Sequence, residues 1–373
     1  MQNKQFDIAI VGAGIVGLAH ALAAVKRGLK VVVFERDTRA VGASIRNFGF
    51  VTVTGQEAGD VWRRACLSRD IWEQVAPEAG IAIVHRGLWL TAQRPEAAAV
   101  LEAFMKTDMA ERCTLLGRQQ AAARAPMLKL AHASVALVSE EDLRVESREA
   151  IPKLAAWLAH KHGVEFHFGE AVLDIQAPHL RTSRGEYQAE RIVVCSNTEL
   201  GGLFSERIAA YGLTLCKLQM LRVRPPMNFR LPGSVMSDLS LVRYHGYSKL
   251  PEAKALLERL QAEEGEALRN GVHLIVVQSE DGTLVVGDSH HYHATPDPFA
   301  SDGVDELILR HLHETVALDQ AEVTERWVGI YPSSPNSAHV VDAPDAATRI
   351  VIVTSGTGAS TGFGLAEDVM SNW

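Results

Sequence analysis

Apolar positions run along this chain in two different ways. At 6–11 (FDIAIV), 30–35 (KVVVFE), 191–197 (RIVVCSN) and 349–356 (RIVIVTSG) they are nearly continuous. Such runs predict strands buried on both faces, as in a parallel sheet covered by helices. Between 212 and 290 the character changes. Residues 212–224 alternate and stop at Pro225-Pro226, and 234–244, 272–278 and 283–287 read as antiparallel strands. Shorter strand signals fall at 81–91, 164–168 and 171–176, with a turn-bounded hairpin at 179–189. Helical spacing marks 56–76, 95–112, 117–124, 148–162, 251–270 and 303–318. The amphipathic face is clearest in REAIPKLAAWLAHKH at 148–162. The buried-type strands sit at both ends and in the middle of the chain. The expected fold class is therefore α/β plus α+β: one discontinuous Rossmann-like domain, with a mixed antiparallel-sheet domain inserted in pieces.

Composition adds bounds. A chain of 373 residues, 47% hydrophobic and 22% charged, suits two ordinary globular domains. The formal charge is −8, from 37 basic and 45 acidic residues, which argues against a nucleic-acid-binding face. An anionic substrate then needs a local basic pocket against that field. Cys66, Cys113, Cys195 and Cys216 form no CxxC pair and read as reduced cytoplasmic thiols. The apolar run from Phe6 to Leu22 has neither the basic flank nor the cleavage site of a signal peptide. No apolar run reaches a membrane span of about 18 residues. The expected location is the cytoplasm, with no stable membrane insertion.

The first strand runs into Gly12-Ala13-Gly14-Ile15-Val16-Gly17, a GxGxxG that opens a helix, and the second strand ends in Glu35-Arg36. That context is the dinucleotide fingerprint. Gly12 permits the tight turn, Gly14 lets a pyrophosphate approach the backbone, and Gly17 lets the helix pack on the strand. The helix N-terminus offers N–H donors to phosphates. Glu35 can accept from a ribose, and its charge opposes a bound 2′-phosphate. The bland alternative is a glycine-rich turn without a ligand. The fingerprint alone leaves NAD and FAD open.

Three further segments bear on that choice: RDTRAVGASIRNFGF, which follows the second strand, WVGIYPSSPNSAHVV, and the C-terminal IVIVTSGTGASTGFGLAEDV. In this order the chain resembles the FAD-dependent amino-acid and amine oxidoreductases, the family of D-amino-acid, glycine and sarcosine oxidases and D-amino-acid dehydrogenases. The resemblance implies FAD-binding segments at 1–84, 143–208 and 326–373 and a substrate domain at 85–142 and 209–325. It places Ser44, Arg46, Asn47 and Gly49 in the loop that wraps the flavin, and Val172 where the backbone meets the adenine. Ser196 and Asn197 stand in the turn near the ribose and pyrophosphate. Gly356, Gly358, Ala359, Ser360, Thr361 and Gly362 stand in the turn that meets the flavin O2 edge. Two departures matter. Thr357 stands where a histidine is usual, and Tyr331 stands where the family often has a carboxylate-binding arginine. Gly329 stands where one branch carries a flavin-linked cysteine, so non-covalent FAD is expected.

The family chemistry, hydride transfer from a carbon beside an amine nitrogen, needs positioning more than acid–base groups. The substrate anion then needs another partner. Arg46 is the first candidate, or else a phosphate or surface ion-pair residue. Arg243, Tyr244, His245 and Tyr247 form either a pocket wall or a solvated hairpin end. The run Gly287-Asp288-Ser289-His290-His291-Tyr292-His293 reads as a polar pocket loop through His290 and His291, as a metal site, or as a surface loop. No neighbouring cysteine or carboxylate cluster completes a metal set, so no metal is expected. Lys217 faces either the flavin, as an aid to oxygen reduction, or solvent. Tyr331 belongs to the active site or to packing. Trp62, Trp72 and Trp157 fall on helical faces and read as core.

The expected function is oxidation of a C–N bond in a small anionic, preferably secondary, amine such as iminodiacetate or another N-substituted glycine. The imine is hydrolysed and O2 becomes H2O2. One alternative is a D-amino-acid or N-alkyl-aminophosphonate dehydrogenase feeding a quinone or carrier. A second is a non-catalytic FAD-binding redox subunit.

Overall fold

The continuous apolar runs become neighbours in one sheet. The computed structural model describes residues 5–130 and 135–373. In it Gln5–Val11 lies between Val31–Glu35 and Glu186–Val194, and Thr348–Val353 joins the far side, all four parallel. Ile8 sits opposite Val31 on one side and Arg191 on the other. Ile8, Ile10, Val33 and Val193 are completely buried because both faces are covered. Helices Ile15–Lys26, Asp60–Glu78, Ser147–His162 and Gly358–Ser371 pack on one face. The hairpin of Val172–Gln176 and His179–Thr182 packs on the other with residues 200–213. Trp72 meets the Phe363 ring edge-on at 5.1 Å, and its indole N–H donates to Ala359 O at 2.9 Å. That contact fixes the start of the last helix.

The second sheet is larger. Its order is His291–His293, Thr214–Arg224, Leu284–Gly287, Ile275–Gln278, Ser234–Met236, Ile83–Ala92, Val135–Val145, Phe50–Val51. Glu322–Ser333 adds to Thr214–Arg224, and Cys113–Gly117 to Val135–Val145. The α/β plus α+β class and the split cofactor fold are as expected. The anticipated boundaries at 84/85, 142/143 and 325/326 fall inside strands of this second sheet.

Several elements differ from the expectation. The hairpin at 179–189 and the strand at 191–197 share one strand, Glu186–Val194, which pairs with the hairpin first and the parallel sheet next. Only Ser234–Met236 of 234–244 is strand; Asp238–Val242 turns into a short 3-10 helix. At its start the Asp238 carboxylate is buried against Arg94 at 2.9 Å. The charged stretch 251–270 is two helices, Ala253–Glu263 and Gly265–Arg269. The strand Val135–Val145 escapes notice in the sequence because SEEDLR interrupts its apolar pattern. Inside the fold those charges have partners: Glu141 pairs with Arg69, and Asp142 accepts from Val53 N at 2.9 Å and Thr54 Oγ1 at 2.7 Å. Burial of a charge is tolerated on those terms.

Candidate active site

The glycine fingerprint is built by close approach. Gly12 has φ +103°, and a Cβ there would stand 2.7 Å from Cys195 O. A Cβ on Gly17 would stand 1.9 Å from Gly12 O, so only glycine lets the helix begin this close to the strand. Ser44 Oγ accepts from Ile15 N at 2.9 Å, and Glu35 accepts from Ala13 N at 2.9 Å and Asp37 N at 3.1 Å. Asn47 folds its own loop, donating to Ala43 O at 2.8 Å and accepting from Gly49 N at 2.7 Å.

Two helix N-termini open on one cavity of about 740 Å³. Gly14, Ile15, Val16 and Gly17 line it from the first helix, and Gly356, Thr357, Gly358, Ala359 and Ser360 from the last. First-turn amides have no helical acceptor and carry partial positive charge. The arrangement fits FAD: a donor set for the pyrophosphate where the glycines bar side chains, and a second donor set for the flavin's electron-rich edge. Ser44, Arg46, Asn47, Asn197 and Gly329 also line the cavity, with Arg46 exposed. Gly12, Glu35, Arg36, Gly49, Val172, Ser196, Thr361 and Gly362 do not line it. Arg36 pairs with Glu199 at the surface, and Thr361 Oγ1 donates back to Thr357 O at 3.0 Å.

The cavity also holds a guanidinium. Arg243 ends the short helix Asp238–Val242, and its Nη2 donates to the hydroxyls of Tyr292 at 3.1 Å and Tyr331 at 3.4 Å. Burial opposes its charge, but Tyr331, Tyr292 and Asp288 outweigh that and raise its pKa. Tyr331 packs on the glycine turn, where a Gly356 Cβ would meet its ring at 3.0 Å. Tyr244, His245, His290 and Thr357 line the cavity as well, and His245 Nδ1 lies 3.2 Å from Glu57.

Three expected site residues lie elsewhere. Lys217 sits on the opposite face of its strand from Leu218, and its ammonium is held by Asp297 and Phe299 O, both at 3.0 Å. Strand parity decides this: Leu218 and Met220 face the cavity, so Lys217 and Gln219 do not. Tyr247 is fully buried against Phe104, with ring centroids 4.7 Å apart. His291 is on the edge strand, with Nε2 3.1 Å from Asn270.

Two cavity residues were not expected. His273 and Asp288 are buried beside His290: His273 Nε2 is 3.1 Å from Asp288 Oδ1, and His290 Nε2 is 3.6 Å from Oδ2. Burial works against the Asp288 charge, yet His290, His273 and Arg243 hold its pKa down at about 2. Burial lowers both histidines. Asp288 stands in the polar run noticed in the sequence, but nothing local in GVHLIVV marks His273 as its partner. The juxtaposition follows from pairing, since Ile275 sits opposite Gly287.

Comparison with known proteins extends these observations. Residues 7–371 match the family described as FAD dependent oxidoreductase. Glycine oxidase from Geobacillus kaustophilus is 25% identical over 358 residues, covering 89% of this chain and 82% of the relative. The solved glycine oxidase from that organism has a TM-score of 0.77 at 22% identity, covering 99% of this chain and 94% of the other. L-proline dehydrogenase from P. horikoshii reaches 0.79 at 17% identity, covering 99% and 94%. Iminodiacetate oxidase from Chelativorans sp. BNC1 reaches 0.70 at 19% identity, covering 98% and 95%. Among the described residues no helix is long and apolar enough to cross a membrane.

Proposed function

The chain belongs to the FAD dependent oxidoreductase family, and from that premise we propose that it oxidises the C–N bond of a small amine whose anionic group binds Arg243. The observation that carries this reading is the setting of Arg243: a guanidinium at the cavity, bonded only to the Tyr292 and Tyr331 hydroxyls among the described residues. A planar fork of N–H donors suits a carboxylate or phosphonate. The two phenols can turn their protons toward the same anion. Arg243 thus does from a neighbouring element what an arginine at position 331 would do.

When bound, FAD accepts the hydride equivalent taken from the carbon beside the nitrogen. The chain's own part is orientation. Arg243 fixes one end of the amine, and the turn Gly356–Ser360 and the loop Ser44–Asn47 line the same cavity. Phe48, Leu218 and Met220 line the cavity and exclude water from the reacting carbon. The imine leaves and hydrolyses.

An N-substituted glycine such as iminodiacetate is the substrate class we favour, and glycine oxidase and iminodiacetate oxidase are both among the similar folds. The phosphonate alternative uses the same Arg243 chemistry. The electron acceptor in this reading is O2, with a carrier as the alternative. The reading as a non-catalytic subunit leans on the missing arginine and the missing histidine, and Arg243 speaks against the first of these.

The test offers iminodiacetate, sarcosine, glycine, D-alanine and N-methyl-aminoethylphosphonate to the purified yellow protein. At least one is expected to bleach the flavin absorbance without air and to give peroxide with air. Failure of all five to bleach it refutes the reading; bleaching without peroxide turns it to a dehydrogenase.

A further inference from the structure

We propose that His273, Asp288 and His290 bind one divalent transition-metal cation of the zinc type, at the substrate end of the cavity.

The hydrogen bonds around the cluster set its tautomers. His290 Nδ1 lies 2.9 Å from Gly271 O, a pure acceptor, so Nδ1 carries the proton and Nε2 presents a lone pair. Ser240 Oγ spends its own proton on His273 O at 2.6 Å. It can then only accept from His273 Nδ1, 3.3 Å away. His273 Nε2 is therefore a lone pair as well. Both lone pairs point at one carboxylate, at 3.1 and 3.6 Å. Asp288 Oδ1 is buried, with His273 Nε2 at 3.1 Å as its near neighbour and no donor aligned on it among the described residues. With both Nε2 atoms unprotonated, the two imidazoles and the carboxylate are acceptors facing one another, and one cation between them would satisfy all three. Each imidazole is also tethered by its other nitrogen to an oxygen, as metal-bound histidines are.

Spacing distinguishes the kind of cation. Ligands about 2.0–2.2 Å from a zinc-type ion stand about 3.0–3.5 Å from one another. An ammonium with hydrogen bonds of about 2.9 Å holds its two acceptors about 4.7 Å apart. The observed 3.1 and 3.6 Å match the small ion. Two imidazoles and one carboxylate suit zinc and its neighbours rather than calcium or magnesium. Three protein ligands leave at least one position toward the cavity.

The charge balance gives the ion a role, and this part rests on the anionic-amine reading above. A bare Asp288 carboxylate at the substrate end repels an anion. With a divalent ion the three-ligand set changes from one negative charge to one positive charge. Beside Arg243 it then makes a second positive centre for a substrate with two acid groups or a phosphonate.

The experiment titrates metal-stripped, FAD-loaded protein with Zn2+ and, for its visible absorption, Co2+. It needs no substrate, so its outcome is separate from that of the amine assay. One equivalent is expected to bind in the micromolar range or tighter. Asp288→Asn and His290→Gln are each expected to weaken binding by about a hundredfold or more, with flavin content and circular dichroism as checks of folding. His273→Gln is the third variant if either of those misfolds. No saturable binding by the wild-type protein at millimolar metal overturns the proposal, as does binding that the correctly folded variants leave unchanged.

Discussion

Arg243 Nη2 stands 3.4 Å from the Tyr331 hydroxyl, so the arginine expected at position 331 has a spatial neighbour from another element. The pair makes the sharpest prediction. Arg243→Ala should lower kcat/KM for the anionic amine by about tenfold to a hundredfold or more, the worth of a hydrogen bond to a charged group. Most of the loss should appear in KM, with the flavin absorbance per chain unchanged. Arg243→Lys should recover only part, because a point charge replaces a fork. An unchanged KM in Arg243→Ala would place the anion elsewhere, with Arg46 the next candidate.

Tyr331→Phe removes one hydroxyl and leaves the ring packed on Gly356. A neutral hydrogen bond is worth about 0.5–1.5 kcal/mol, or roughly a two- to tenfold rise in KM. Thermal stability should change little, because the ring makes the packing contact. Steady-state kinetics beside a melting curve separates the two effects.

How much of this was legible beforehand follows the range of each interaction. Gly12–Gly17 and Glu35 could be read because the cofactor turn is local: strand, turn and helix lie within one short stretch. The last helix could be read for the same reason. The side taken by Lys217 is not legible, because it depends on strand parity, which the sequence does not set until the cavity face is known. The link of Arg243 to Tyr331 spans 88 residues, and that of His273 to Asp288 depends on the pairing of Ile275 with Gly287. Neither pair leaves a local pattern. Val135–Val145 was hidden by charges whose partners, Arg69 and the 52–54 segment, lie far off in sequence.

Lys217→Met should leave oxygen reduction within about twofold of wild type, since the ammonium lies on the strand face turned away from the cavity. The amino group holds the 297–299 segment through Asp297 and Phe299 O instead. The expected change is therefore faster proteolysis in that segment. A large fall in the rate of flavin reoxidation by O2 would restore Lys217 to the reaction.

Gly17→Ala places a methyl where Gly12 O stands 1.9 Å away. Backbone must move to admit it, and the moved turn is the one that meets the pyrophosphate. Purified Gly17→Ala should carry little or no FAD, read from the ratio of visible to protein absorbance. Full yellow occupancy would mean that the helix start does not hold the cofactor.

Acid should destabilise the cofactor fold through His20, which lies fully buried in the helix Ile15–Lys26. Its Nδ1 donates to Val16 O at 2.8 Å, while Nε2 is buried without a hydrogen-bond partner among the described residues. Burial lowers its pKa to about 4, against 6.5 for the free side chain. The folded state therefore binds fewer protons than the unfolded state across that interval. Stability from the neutral ring is full above pH 6.5 and is lost as pH falls toward about 4. The total is on the order of 3 kcal/mol for this one group. His85 and His311, lowered to about 3 and about 4, add losses of the same sign. His20→Leu should flatten the fall in Tm between pH 6.5 and pH 4 without abolishing it, since the other two histidines remain. Parallel Tm curves for wild type and His20→Leu would show that His20 does not titrate with unfolding.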